Sequence, residues 1–421
     1  MRKLDPDKFS EEAEKLREFM RARIKGQDKT IDDLVDMFDL YNSGLKDPEK
    51  PIYIVLFLGP SGVGKTLMAE VLAEYLFGSR KAFTKVACAQ YSEPHRVADL
   101  IGSPPGYVGF YDPSDPMHRG TEPQLSQWNI DRHDYLSRME RLKKSRKYTD
   151  DKKREAVLFD ELQKIGGDGR GIFRNRDDRG KSGDRATEIS KEIVGIRIKY
   201  AYDPEKNIYR SVLLFDEVEK AYETLHNLLL EIMDKGTIKL ANGDVTRFNQ
   251  SVILMTSNVG SKQISDILKG RRGMGFKHGE GVETVDKEIY SRASEELYNV
   301  FRPEFLGRFN RISVFRPLSR EILLQIFDWL IQEVVAEMVA KKFPVFLKFD
   351  QEVKEFVVDE ASDRPQSGAR LLRNKISKYI REPLGRLKNR GEVKANDVVL
   401  VKFEEGSGKK KIVFYKEESA A

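Results

Sequence analysis

Apolar residues in this chain gather into short, mostly apolar runs separated by stretches where they recur every three or four positions. The runs at residues 52–58, 83–90, 211–215, 251–255 and 311–315 predict five buried strands. The three-to-four spacing predicts helices at 9–24, from 28 to about 40, at 66–77, over a short stretch at 92–100, and at 220–235. The last carries Leu225, Leu228, Leu229 and Ile232 on one face and has Gly236 as its stop. Buried strands alternating with helices argue for an α/β fold, a parallel sheet covered on both faces, with chemistry at the carboxyl ends of its strands. Pro317 closes this part. Helical patterns at 322–340, 351–361 and 369–387, then strand patterns at 398–403 and 411–415, predict a small α+β unit. The expected division is a large domain over 1–317 and a small one over 318–421.

Two stretches break the alternation. Residues 101–110 are rich in proline and glycine yet carry Tyr107, Val108 and Phe110, so they form either a packed Ω-type loop or a contact surface. Residues 111–210 are polar, with a basic run from Arg141 to Arg154 and a glycine-, arginine- and aspartate-rich stretch at 166–183. They read as an insertion with flexible parts. The basic run is either a solvated helix face or a nucleic-acid contact; interleaved Asp150 and Asp151 and the scarcity of aromatic residues favour the former.

Composition narrows the class. The 421 residues include 74 basic and 68 acidic ones, so the net charge of +6 is a small remainder and does not imply a nucleic-acid partner. No run is long and apolar enough to span a bilayer, and the start leads into charge rather than a signal-peptide core. A cytoplasmic protein without a membrane role is expected. Cys88, the one cysteine, lies in an apolar run and reads as a small core residue.

The chemistry begins after the first run. Gly59, Pro60, Ser61, Gly62, Val63, Gly64, Lys65 and Thr66 stand between a strand pattern and a helical one. In that context the glycines let backbone N–H groups wrap a triphosphate, Lys65 reaches the outer phosphates, and Thr66 can hold Mg²⁺. Asp216 and Glu217 end the third run; the first can hold the metal through water and the second can polarise the attacking water. Asn258 ends the fourth and can orient that water. Arg308 and Arg370 are candidates for charge on the γ-phosphate, against the plainer reading of each as a surface salt bridge. Asp160-Glu161 also follows an apolar run, but no long amphipathic helix and further strand come after it, so it is assigned to packing within the insertion.

Together these motifs resemble the AAA+ ATPases of the Clp family, most of all the second ATPase domains of ClpB and ClpC. Residues 59–66 look like the Walker A loop, 212–221 like Walker B and its exit, and 256–258 like sensor one. Residues 301–308 resemble the segment whose arginine reaches a neighbouring subunit's ATP, and 368–370 resemble sensor two. The resemblance implies ATP and Mg²⁺ as cofactors, a homo-hexameric ring, and Tyr107-Val108 as a pore loop gripping unfolded polypeptide. The function implied is ATP-driven unfolding and threading of proteins. Ile24 and Lys25 take the adenine-side position, where the family has two apolar residues. Met274-Gly275-Phe276 resembles a docking loop for the ClpP protease; a plain flexible loop is the alternative.

Further departures are Gly307 in place of the family's asparagine, the lack of counterparts to the N-terminal, first ATPase and middle domains, and the separation of 109 residues from Tyr107 to Asp216. The extra material is placed at about 131–210. It is expected either to recruit a client or adaptor in a single-ring protein, or to be an elaboration without a partner. Rival functions are a disaggregase or dedicated remodeller without protease, a nucleic-acid remodeller using the basic run, and a non-hydrolysing switch. The last is disfavoured by the presence of Lys65, Glu217 and Arg308.

Overall fold

A computed structural model describes residues 8–107, 109–111, 121–164, 181–264, 266–267, 282–362, 368–406 and 409–417. The larger part contains strands β1 (Tyr53–Leu58), β2 (Thr84–Ala87), β3 (Ser211–Asp216), β4 (Thr237–Lys239), β5 (Val245–Arg247), β6 (Ser251–Ser257) and β7 (Arg311–Val314). Five of them, the five predicted runs, form one parallel sheet in the order β2-β3-β6-β1-β7. Successive side chains of a strand point to opposite faces, and the two cores follow that alternation. Tyr53, Val55 and Phe57 pack with α1 (Glu11–Arg23), α2 (Asp28–Asn42) and α3 (Lys65–Phe77).

Beyond the single turn Ala98–Ile101, three long helices lie between β2 and β3 among the described residues: α4 (Gln127–Lys143), capped by Ser126, then α5 (Arg146–Lys164) and α6 (Lys181–Lys199). Helices α5 and α6 pair antiparallel over a core of their own, made by Leu158, Leu162, Ala186, Ile189 and Ile193. The basic run from Arg141 to Arg154 lies at the end of α4 and on the exposed side of α5, a solvated helix face. The apolar residues of the two paired helices are few enough for charge to hide them, yet they fall on facing stripes. The apolar run before Asp160-Glu161 is part of α5, where Asp160 pairs with Lys164 and Glu161 with Arg185.

Ile54, Leu56 and Leu58 pack on the other face, with α7 (Glu223–Lys235) and the end of α8 (Val282–Val300). Cys88 is buried there, and burial pushes its thiol pKa up, which keeps it an inert core residue. The β4-β5 hairpin was not anticipated, although its Asn242-Gly243 turn is a hairpin signal and Gly243 has φ of 94°.

The smaller part packs α9 (Arg320–Ala340, capped by Ser319), α10 (Gln351–Ser362) and α11 (Gly368–Ile376) around Phe327, Leu330, Val357 and Leu372. Beside them is a three-stranded sheet, β10-β9-β8, of β8 (Phe346–Phe349), β9 (Val398–Gly406) and β10 (Lys409–Lys416). The architecture is α/β with a small α+β companion. Among the described residues no helix is long and apolar enough to cross a membrane.

Candidate active site

The chain leaves β1, skips two sheet positions to β2, and returns through β3 and β6 to β1's side, so β1 and β6 mark the point where strand order reverses. Ligands in such sheets bind at that crevice, beyond the carboxyl ends. The phosphate loop follows β1, Glu217 follows β3 and Asn258 follows β6. Gly59, Gly62 and Gly64 all have positive φ, and a Cβ on Gly59 would lie 2.7 Å from the Phe315 carbonyl. Pro60 accepts from Lys65, Val63 is buried, and Ser61 is exposed.

Lys65 is buried at the start of α3. Its Nζ donates to the carbonyls of Gly59 and, at 3.0 Å, Pro60, and to Asn258 Oδ1 at 2.8 Å. Burial pushes its pKa down to about 8 against the opposing pull of Glu219, Asp216 and Glu217; nearby Arg370 pushes the same way as burial. Thr66, half-buried, is next on the helix.

Asn258 also donates through Nδ2 to Glu217 Oε1 at 3.2 Å, so one hydrogen-bonded chain runs Lys65–Asn258–Glu217. Glu217 has a left-handed backbone, φ 60°, which costs a side-chain-bearing residue about 1–2 kcal/mol. Its N–H donates to Thr256 Oγ1 at 2.9 Å and its Oε2 pairs with Lys220 at 2.7 Å. The Thr256 hydroxyl in turn donates to Asp216 Oδ1 at 2.6 Å, while Lys85 lies 2.8 Å from Oδ2. Burial pushes the Asp216 carboxyl up, but the hydrogen bonds from Lys85 and Thr256 outweigh it and hold it below its ordinary value.

Two residues missed in the sequence complete the setting. Glu219 Oε1 accepts the Asn258 N–H at 3.1 Å, and its Oε2 is buried without a partner among the described residues. Gln27, buried, donates to the carbonyls of Val63 (3.3 Å) and Arg316 (2.9 Å) and accepts the Arg316 N–H. It thereby ties the phosphate loop to the segment leading into α9. The signal for Gln27 was the non-helical Gly26 beside it; nothing local marked Glu219.

Arg370 is on α11, whose start touches the loop directly: the Ala369 N–H donates to the Gly62 carbonyl at 2.9 Å. Arg308 lies elsewhere and pairs with Asp234 at 2.8 Å. Asn310, two residues on, bonds the backbone of Ile54 at the opposite end of β1 from the loop. At 3.3 Å per residue that separation is roughly 16 Å, beyond an arginine's reach. Ile24 is buried in the α1–α3 core, and Lys25 Nζ donates to the Arg21 carbonyl at 2.9 Å. Gly26 and Gln27 border a cavity of about 1000 Å³ beside β7, which the phosphate loop does not line. Tyr107 is 71% exposed on a turn between Gly106 and Gly109, both at φ 89°. Val108, Met274, Gly275 and Phe276 lie outside the described residues.

Two family descriptions match the sequence. The family described as AAA domain (Cdc48 subfamily) matches residues 50–116 and 202–312, and the C-terminal, D2-small domain, of ClpB protein matches residues 318–401. The chain belongs to the Clp-type AAA+ ATPases. An "ATP-dependent Clp protease ATP-binding subunit ClpA homolog" of Porphyra purpurea is 30% identical over 93% of this chain and 37% of its own length. "Chaperone protein ClpC1, chloroplastic" of Oryza sativa subsp. japonica is 30% identical over 92% of this chain and 32% of its own. "Chaperone protein ClpB" of Meiothermus ruber is 29% identical over 90% and 33%. The chain thus spans about a third of the relatives it matches. The gap between the two matched parts of this AAA+ chain, 117–201, contains α4, α5 and α6.

The residues of this AAA+ site fit a magnesium nucleotide. A carboxylate held ionised faces the crevice at the end of β3, a hydroxyl follows the lysine on α3, and the glycine turns leave space for phosphate oxygens.

Proposed function

We propose that this chain hydrolyses ATP and converts turnover into pulling on polypeptide, as a ring of identical subunits. The observation that carries the reading is the Lys65–Asn258–Glu217 chain, which links the phosphate loop to a carboxylate at a neighbouring strand end. The loop would hold the phosphates, with Lys65 on the outer ones. Mg²⁺, held by Thr66 and through water by Asp216, would supply charge neutralisation on the phosphates. Glu217 Oε1 would take the proton of the attacking water while Asn258 keeps the carboxylate and that water aligned. Arg370 would contribute charge from α11. Arg308 sits at the wrong end of the sheet for its own site, which supports its acting on a neighbouring subunit's γ-phosphate in a ring, six subunits being the proposed number.

Tyr107 supports the choice of polypeptide. An exposed aromatic ring on a glycine-flanked turn grips by area and shape, whatever the sequence passing it. Delivery to a ClpP-like protease through Met274-Gly275-Phe276, the 131–210 segment as an insertion, the adenine-side role of Ile24 and Lys25, and a cytoplasmic setting are further proposals. The test is ATPase rate with and without casein for the wild type and Tyr107→Ala, with Glu217→Gln as the inactive control. Stimulation that disappears in Tyr107→Ala is the expected result. Hydrolysis indifferent to both would sink the threading reading, and stimulation by DNA or RNA instead would favour nucleic-acid remodelling.

A further inference from the structure

The arm formed by α4, α5 and α6 is uneven in charge. Most of its length neutralises itself: Arg154 pairs with Glu192, Arg185 with Glu161, Arg197 with Glu155, and Lys199 with Asp151. The turn between α4 and α5 does not. Arg141, Lys143, Lys144 and Lys147 are all exposed and make no ion pair among the described residues, and the same holds for Lys153 on α5. Arg146 reaches only the exposed Asp150, at 4.0 Å. Such charges are individually screened within about 8 Å at physiological salt, but clustered at one turn they attract a partner carrying several opposite charges.

We propose that this turn is a docking site for acidic segments of protein clients. The proposal rests on the reading of the chain as a protein-handling ATPase and adds the chemistry of what it receives. Three observations carry it beyond charge alone.

The turn is held in place. Tyr148 meets Tyr200 edge-on at 4.9 Å, Tyr200 donates to Asp151, and Tyr135 donates to the Tyr200 carbonyl at 3.0 Å. A pre-ordered surface loses less entropy on binding.

The turn also lacks what nucleic acid would need. Its one aromatic, Tyr148, is half-buried and engaged by Tyr200, so no ring is free to stack on a base. Leu142 is exposed among the basic residues and offers an apolar contact suited to an acidic peptide with interspersed apolar side chains.

Finally, the arm is rooted beside the Tyr107 loop. Trp128, Tyr135, Tyr202 and Tyr209 cluster at its base. Gln127 Oε1 accepts the Arg247 N–H at 2.7 Å, and Arg247 pairs with Glu205 at 3.0 Å. Arg247 ends β5, in the hairpin whose Ala241 N–H donates to the Ile101 carbonyl, where the loop carrying Tyr107 begins. An acidic segment held at the turn is therefore tethered to the part of the molecule that presents Tyr107.

The test uses the full chain and a fluorescein-labelled peptide of alternating glutamate and leucine, followed by anisotropy at two salt concentrations. The comparison is with the triple variant Arg141→Glu, Lys144→Glu, Lys147→Glu, with an oligothymidylate of equal charge as competitor. Expected are salt-sensitive peptide binding, a loss of about tenfold or more in affinity in the variant, and weak competition by the oligonucleotide. The variant's basal ATPase and thermal midpoint should match the wild type. Absence of peptide binding, or equal binding by the variant, overturns the proposal; so does preferential binding of the oligonucleotide that the variant loses. Tyr107→Ala separates the two readings, because it should abolish casein stimulation while leaving binding of the acidic peptide intact.

Discussion

Gly368→Ala should uncouple the small domain from the phosphate loop without unfolding either. Gly368 has φ of +45°, and a Cβ there would lie 2.6 Å from the Gly62 carbonyl oxygen and 2.9 Å from its carbon, both backbone atoms. Restoring an ordinary contact near 3.4 Å requires a retreat of roughly 0.8 Å, and the left-handed backbone adds about 1–2 kcal/mol of strain. The adjacent bond from the Ala369 N–H to the Gly62 carbonyl would stretch or break, at about 1 kcal/mol. The combined cost, about 2–3 kcal/mol, falls on the contact between the parts, because the residues packed around Phe327 and Leu372 are untouched. Arg370 is carried two residues on, and misplacement of a charged group by a fraction of an ångström to 1 Å costs roughly 10–100-fold in rate. A coupled ATPase assay should show kcat down by that factor, with nucleotide affinity, read by a fluorescent ADP analogue, within about fivefold. In the double variant Gly368→Ala, Arg370→Ala, the two effects should fall well short of additive. A kcat within twofold of wild type at an unchanged thermal midpoint would refute the argument.

Two further predictions follow from the same geometry. Arg308→Ala and Lys65→Ala should each be nearly inactive, yet mixed in equal amounts they should recover about a quarter of wild-type ATPase, since one interface in four then joins an intact loop to an intact Arg308; no recovery after verified subunit exchange would contradict action in trans. Asp131 is buried, and burial raises its carboxyl to about 6 despite hydrogen bonds from Gln127 and Tyr202. A raised carboxyl favours the folded state fully below its unfolded value and loses that contribution as pH rises through about 6. Asp131→Asn should therefore melt higher than wild type at pH 7.5, by up to about 3 kcal/mol in stability, with the gap closing toward pH 4; identical melting across that range would count against it.

The central strands β1, β3 and β6 were legible because they are buried on both faces and so read as nearly continuous apolar runs, while the edge strands β2 and β7 each keep enough apolar residues around the exposed Lys85 and Arg311 to be recognised. The strand-end residues could be named for the same reason, since in a parallel sheet whatever follows a strand points into the common crevice. Strand order was not legible, because nothing local in residues 52–58 says that their neighbours come from 251–257 and 311–314. The extent and pairing of α5 and α6 were not legible, because each buries only a narrow stripe against the other beneath a charged surface. Gln27, Glu219 and Gly368 act through contacts between segments distant in sequence, and their residue types alone gave no sign of it.

The position of β1 also bears on how the chain is made. Both of its edges stay unpaired until β6 and β7 exist, with Tyr53 waiting for Val252 and Val55 for Arg311. At 5–20 residues per second a ribosome takes roughly 10–50 s to cover that distance. Throughout it, six consecutive apolar residues with two open edges are available to any other nascent strand. The nucleotide cradle at the end of β1 therefore takes shape late in synthesis, and protection of β1 in the meantime falls to α1, α2 and α3, which pack one of its faces, and to whatever holds nascent chains apart in the cell.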